Sequence, residues 1–207
     1  TFLHSVSVCT LLVAFCRARG LDATTTYQAG LGGLVHDTGK ALVPDEILNK
    51  PGRLTEEEFA VIRKHPQDGY DILKQSPGIG PIPLDITLHH HERYDGTGYP
   101  AGLAGTDIPI EARVVTVADV FDALISPRPY KRAWSIEEAL AFIEEQSGKL
   151  LDPDCVRALM SNLPRLHEIS AVFVRHGLGD LVRRLGVASV LERAGAVLQW
   201  GAGARST

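Results

Sequence analysis

Five of the eight histidines stand where they could do chemistry: His4, His36, His65 and the neighbours His90 and His91, with Asp37 and Asp119 among them. Imidazole and carboxylate without thiolate suit first-row divalent metals such as iron, manganese or zinc rather than calcium alone. His36 and Asp37 are adjacent, and neighbouring residues at a helix end point roughly 100° apart. They can therefore flank one metal, or the carboxylate can bridge two, and His90-His91 can do the same from an opposite wall. Taken singly, His4 could be an ordinary surface or core residue, and His65 before Pro66 could merely end a helix. Asp119 interrupts an apolar helical stripe, and an unpaired buried carboxylate is costly. Asp122, three residues on, could cap, brace Asp119 or point to solvent. His89 faces a third direction and reads as a spectator; His167 and His176 read as surface residues.

The elements that must position these groups are helical. Leu3, Val6, Leu11, Leu12 and Phe15 make a stripe that Gly20 ends. Asp22 opens a second helix leading to Leu34 and Val35 before Gly39 breaks it. Thr55-Glu56-Glu57-Glu58 is a capping box, Pro66 starts a helix running to about Gln75, and Leu84 to His91 reads as a short helix after a Pro81/Pro83 loop. Residues 92–109, with four glycines and two prolines, predict an ordered loop. Ile110, Val114, Val117, Ala118, Phe121 and Leu124 recur as in a buried helix. Ser135-Ile136-Glu137-Glu138 is a second capping box, and Asp152-Pro153 an N-cap with proline at the first helical position. Strand alternation is nearly absent, so the expected fold class is all-α.

The 207 residues leave room for one large domain with an appended piece, and 44% hydrophobic against 22% charged residues excludes a disordered or fibrous chain. No apolar run approaches a membrane span, and no signal peptide is framed. Cys9, Cys16 and Cys155 have unrelated spacings and fit reduced thiols, so a cytoplasmic protein is expected. Residues 1–160 hold 15 Lys and Arg against 22 Asp and Glu, whereas 161–207 hold 6 against 3. An acidic body is a poor partner for duplex nucleic acid. The basic tail reads as two short amphipathic helices split at Gly186, packed on the body or on a partner.

Order and spacing give the pattern its specificity. Gly33-Leu34-Val35-His36-Asp37-Thr38-Gly39-Lys40 resembles the HD signature of the HD phosphohydrolase superfamily. His90-His91-Glu92-Arg93-Tyr94-Asp95-Gly96-Thr97-Gly98-Tyr99-Pro100 resembles the signature of its HD-GYP subfamily. Pro44 to Pro51, Lys64-His65-Pro66, Ala118 to Leu124, Arg128-Pro129-Tyr130-Lys131, Ser147-Gly148-Lys149 and Asp152-Pro153 continue the likeness over roughly residues 1–160. The tail is weakly similar to the N-terminal helices of AarF/UbiB-like atypical kinases and includes no kinase catalytic element.

The resemblance implies an HD-type helical bundle with an extended GYP loop and extra C-terminal helices: a phosphodiesterase domain at 1–160, truncated at its N-terminus, and a helical extension at 161–207. It implies a bacterial enzyme hydrolysing cyclic di-GMP to pGpG and in some members to GMP. Its metal ligands would be His4, His36, Asp37, His65, His90, His91 and Asp119, with Asp37 bridging two divalent ions, iron or manganese. Some members hold a third metal through a glutamate one turn before the first histidine; here that position precedes residue 1, so two and three metals both stay open. Asp37 and Lys40 would act in catalysis, Lys40, Arg128 and Lys131 would meet substrate phosphates, and Tyr99 would help shape the site. Thr38 replaces an aliphatic residue, and Ser126-Pro127 a polar pair. A regulatory region upstream and protein partners of the GYP loop are further implications. The alternatives are a signalling adaptor that binds metal or nucleotide without hydrolysis, and a hydrolase of another phosphoester.

Overall fold

The computed structural model describes residues 2–126 and 132–162. Its helices run in the order α1 (Phe2–Ala18), α2 (Ala23–Val35), α3 (Asp45–Leu48), α4 (Glu56–Ile62), α5 (His65–Leu73), α6 (Pro81–His89), α7 (Ile110–Ile125), α8 (Ile136–Glu145) and α9 (Pro153–Ser161), with 3-10 turns at Thr38–Leu42 and Gly105–Asp107. Among the described residues there is no strand, only an isolated bridge between Ser147 and Leu151. None of the described helices is long and apolar enough to cross a membrane. The all-α expectation holds. The tail helices expected beyond residue 162, together with Arg128 and Lys131, lie outside the described residues.

The caps explain where several helices begin. The Asp22 carboxylate accepts from the Thr24 and Thr25 amides at 2.9 and 3.0 Å, taking up donors that the first helical turn leaves unpaired. Thr55 with Glu58 and Ser135 with Glu138 form complete capping boxes, and Asp152 caps α9 ahead of Pro153. The ends of two helices and the burial of one residue differ from expectation. Helix α6 begins at Pro81 rather than Leu84 and ends at His89, because proline lacks only an N–H that the first turn does not use. Helix α5 begins at His65 and ends at Leu73. Ile110, expected in the buried stripe, opens α7 at 52% exposure.

Helix α1 is the centre of the packing. Val6, Cys9 and Val13 join Leu31, Leu34 and Val35 of α2 and Leu73 of α5. Val8 and Leu12 join Ile86 of α6 and Val115 and Ala118 of α7. Ala14 reaches the largest group, built from α7, α8 and α9. A helix apolar on several faces must be enclosed, and enclosure holds one end of α1, carrying His4, beside α7.

Candidate metal centre

His36 caps the C-terminus of α2 with helical backbone angles, so the helix itself aims the His36-Asp37 pair inward. The following 3-10 turn passes close under α5: a Cβ on Gly39 would overlap the His65 carbonyl oxygen. Only glycine lets these segments approach and brings His65 to Asp37.

Three imidazoles are locked in one tautomer. His36 Nδ1 bonds the Gly33 carbonyl at 2.7 Å, His65 Nδ1 that of Ile62 at 2.7 Å, and His90 Nδ1 that of Thr87 at 2.9 Å. A carbonyl only accepts, so each Nδ1 carries the proton and each Nε2 presents a lone pair. These lone pairs converge on Asp37. Its Oδ1 lies 3.4 Å from His65 Nε2 and 3.7 Å from His90 Nε2, and its Oδ2 lies 3.5 Å from His36 Nε2. His65 Nε2 and His90 Nε2 face each other at 3.2 Å. The His91 ring stands 4.1 Å from that of His90, centre to centre.

The second half of the site spans α1 and α7. His4 Nε2 meets Asp119 Oδ1 at 2.8 Å, and its Nδ1 meets Asp122 Oδ2 at 2.6 Å. Asp122 is buried and also accepts the Ser7 hydroxyl. It therefore braces His4, not Asp119. The His4 and His36 rings approach edge to face at 5.6 Å, joining the two halves.

The electrostatics match this layout. Burial opposes charge on His4, but its hydrogen bonds to Asp119 and Asp122 prevail and raise it to about 9. Burial lowers His36, and burial with the neighbouring His90 holds His91 well below the ordinary imidazole value. Burial would raise Asp37 and Asp119, yet the surrounding imidazoles, with Lys40 for Asp37, keep both low. Asp37 and Asp119 are therefore carboxylates and His36 and His91 neutral imidazoles, the forms that ligate, whereas His4 must release a proton to bind metal.

Donor atoms of Asp37, His65, His90 and His91 all lie within 4.8 Å of one another, as do those of His4, His36 and Asp119. All seven expected ligands thus converge. The buried Asp37 Oδ1 has no hydrogen-bond donor, and the facing Nε2 lone pairs leave unpaired acceptors that a cation satisfies. Divalent metal fits this donor set. His89 joins neither group; its Nδ1 lies 3.7 Å from Glu92. Lys40, expected at a phosphate, pairs with Asp37 Oδ2 at 2.6 Å, half-buried at the rim. Tyr99 stacks on His91 at 4.9 Å and 27°.

Four contributors escaped the sequence reading. Glu92, 2% exposed, accepts the Ala101 and Leu103 amides at 2.8 and 3.1 Å and so folds the glycine-rich loop back on the histidine pair. The Thr116 hydroxyl donates to the His90 carbonyl at 3.0 Å. Ser7 supports Asp122, and Arg63 lies over the Tyr99 ring. Glu92 was visible as the acidic residue closing the His90-His91 run; the others carried no local signal.

Residues 3–155 match the family described as HD domain. The chain is 45% identical over 199 residues to the cyclic di-GMP phosphodiesterase PA4108 of Pseudomonas aeruginosa, covering 94% of this chain and 45% of that protein. It is 51% identical over 176 residues to the cyclic di-GMP phosphodiesterase response regulator RpfG of Xanthomonas campestris pv. campestris, covering 83% and 45%. Among solved structures, Bd1817, an HDG"Y"P protein of Bdellovibrio bacteriovorus, superposes with a TM-score of 0.64 at 28% identity, over 79% of this chain and 52% of that one. The chain spans less than half the length of these two curated relatives.

Proposed function

The chain belongs to the HD domain family, and on that footing we propose that it is a metal-dependent phosphodiesterase hydrolysing cyclic di-GMP to pGpG. One observation carries the reading: seven imidazole and carboxylate side chains from distant parts of the sequence gather into two adjoining groups, and Asp37 Oδ1 in one of them has no hydrogen-bond donor. His65, His90 and His91 with Asp37 would hold one cation and His4, His36 and Asp119 a second, with Asp37 facing both. We assign iron or manganese to them on the family resemblance, both among the first-row metals that imidazole and carboxylate suit. Bound there, the cations supply Lewis-acid polarisation of the phosphodiester and a water nucleophile at neutral pH.

The remaining work falls to the chain. The Nδ1 bonds of His36, His65 and His90 to backbone carbonyls hold each ring in its ligating orientation, so little reorganisation accompanies binding. Asp37 supplies the negative charge between the two groups. The Lys40 ammonium stands at the rim, placed to meet a non-bridging phosphate oxygen once Asp37 engages cations. Arg128 and Lys131 would add phosphate contacts. Tyr99, packed on His91, would shield that side of the metal donors from water.

We assign this activity to residues 1–160, with 161–207 as a separate extension. The GYP loop is a candidate protein contact and a regulatory region upstream a candidate control, and the acidic body argues against duplex nucleic acid as a partner. Protein loaded anaerobically with manganese or ferrous iron should convert cyclic di-GMP to pGpG, read by chromatography beside metal analysis. Tight nucleotide binding without product at verified metal content overturns the assignment in favour of an adaptor.

A further inference from the structure

The connector between α4 and α5 carries Arg63 two residues before His65. Its guanidinium carbon lies 4.8 Å from the centre of the Tyr99 ring and 5.6 Å from that of Phe59. Phe59 and Tyr99 meet edge to face at 6.5 Å and 83°, and Tyr99 in turn stacks on His91. Phe59 is 40% exposed, unusual for a phenylalanine on a polar helix. Arg63 is exposed, and among the described residues no carboxylate pairs with it; nearby Glu58 is already engaged by Lys50 and the Thr55 amide.

A row therefore runs outward from the candidate ligand His91, through Tyr99, to an aromatic face and an unpaired donor fork. That row is one direction in which a molecule whose phosphate lies at the metal donors can place its base. Phe59, 40% exposed, offers an apolar face on which a flat base can stack, while Tyr99, held between His91 and Arg63, fixes that face beside the donor fork. The guanidinium is a planar fork of donors, and guanine presents two neighbouring acceptors, O6 and N7, that match it. Adenine keeps N7 but sets an amino donor where O6 would be, facing the fork with like polarity.

We propose that Arg63, on the platform of Phe59 and Tyr99, is a specificity-determining residue that reads a guanine base of the substrate. This deepens the cyclic-dinucleotide reading above and rests on it. The competing role is a clamp, in which Arg63 only holds the Tyr99 loop through its charge over the ring. Lysine separates the two, because it keeps the charge and the cation–ring contact but loses the fork.

The test measures kcat/KM of the metal-loaded wild type, Arg63→Lys and Arg63→Ala for cyclic di-GMP and cyclic di-AMP. The wild type should prefer the guanine substrate, and both variants should lose that preference by roughly tenfold to a hundredfold, mainly through KM for cyclic di-GMP. Wild-type preference retained in Arg63→Lys, or proportional falls for both substrates, overturns the base-reading role. A wild type that turns over neither dinucleotide defeats the phosphodiesterase reading instead. Calorimetric affinities for the same pair of ligands then decide the Arg63 assignment on the same criterion.

Discussion

Asp37 is buried, ringed by imidazole lone pairs, and answered by one cation, Lys40, on one of its two oxygens. Against that burial, the imidazoles and Lys40 hold its carboxyl well below the usual range, so the carboxylate supports the metal-free fold as well as offering a ligand. In Asp37→Asn the charge is lost, and with it the ion pair to Lys40. Chelated Asp37→Asn should therefore melt below chelated wild type at neutral pH, while metal content drops below one ion per chain and turnover is lost; thermal melts with elemental analysis check both. His4 behaves in the opposite sense. Its folded value near 9 exceeds the ordinary 6.5, so its imidazolium adds stability that is complete below about pH 6.5 and is lost as pH rises through about 9. Chelated protein should lose melting temperature across that window, and His4→Gln should flatten the loss. The ligand types were legible residue by residue, because imidazole and carboxylate declare their chemistry in any context. The bracing of His4 by Ser7 and Asp122 was not, since the two braces lie 115 positions apart.

At the level of elements, legibility tracks how local the stabilising contact is. The capping boxes at Thr55 and Ser135 are satisfied within three residues, and both were announced by sequence. Helix α6 was misplaced at its start because two prolines signal a loop and a first turn equally well. The loop at 92–109 was recognised from its glycines, but not what folds it. Glu92 reaches forward to the Ala101 and Leu103 amides, while the Tyr94 and Asp95 amides bond the Leu150 and Lys149 carbonyls at 3.2 and 2.8 Å. The loop is thus tied at both ends, and the Glu92 tie is the one next to the histidines. Glu92→Gln turns one acceptor of a buried side chain into a donor facing a backbone amide. It should cost about 1–3 kcal/mol of stability, measured by denaturant unfolding, and speed amide exchange at Ala101 and Leu103 while α1 and α7 stay protected.

The whole molecule is organised so that metal would tie a second time pieces of chain that packing already brings together. Helix α1 enters each buried apolar group, yet beyond its apolar contacts its start is tied to α7 by the polar contacts of His4 and Ser7. The Asp37, His65, His90 and His91 group instead gathers the end of α2, the start of α5 and the end of α6. Each cation would close a different long-range loop, and binding to the folded chain alone stabilises it by mass action. At free metal a hundredfold above Kd, each site adds about 2.7 kcal/mol, which for a domain of this size raises Tm by about 5–10 °C. Two sites should give a two-step rise as manganese is titrated into chelated protein and followed by calorimetry. His4→Ala removes a ligand from one group and leaves the other whole, so the titration should collapse to one step of roughly half the amplitude. An unchanged two-step rise would place the second cation elsewhere, and loss of both steps would mean that the two groups form one indivisible centre bridged through Asp37.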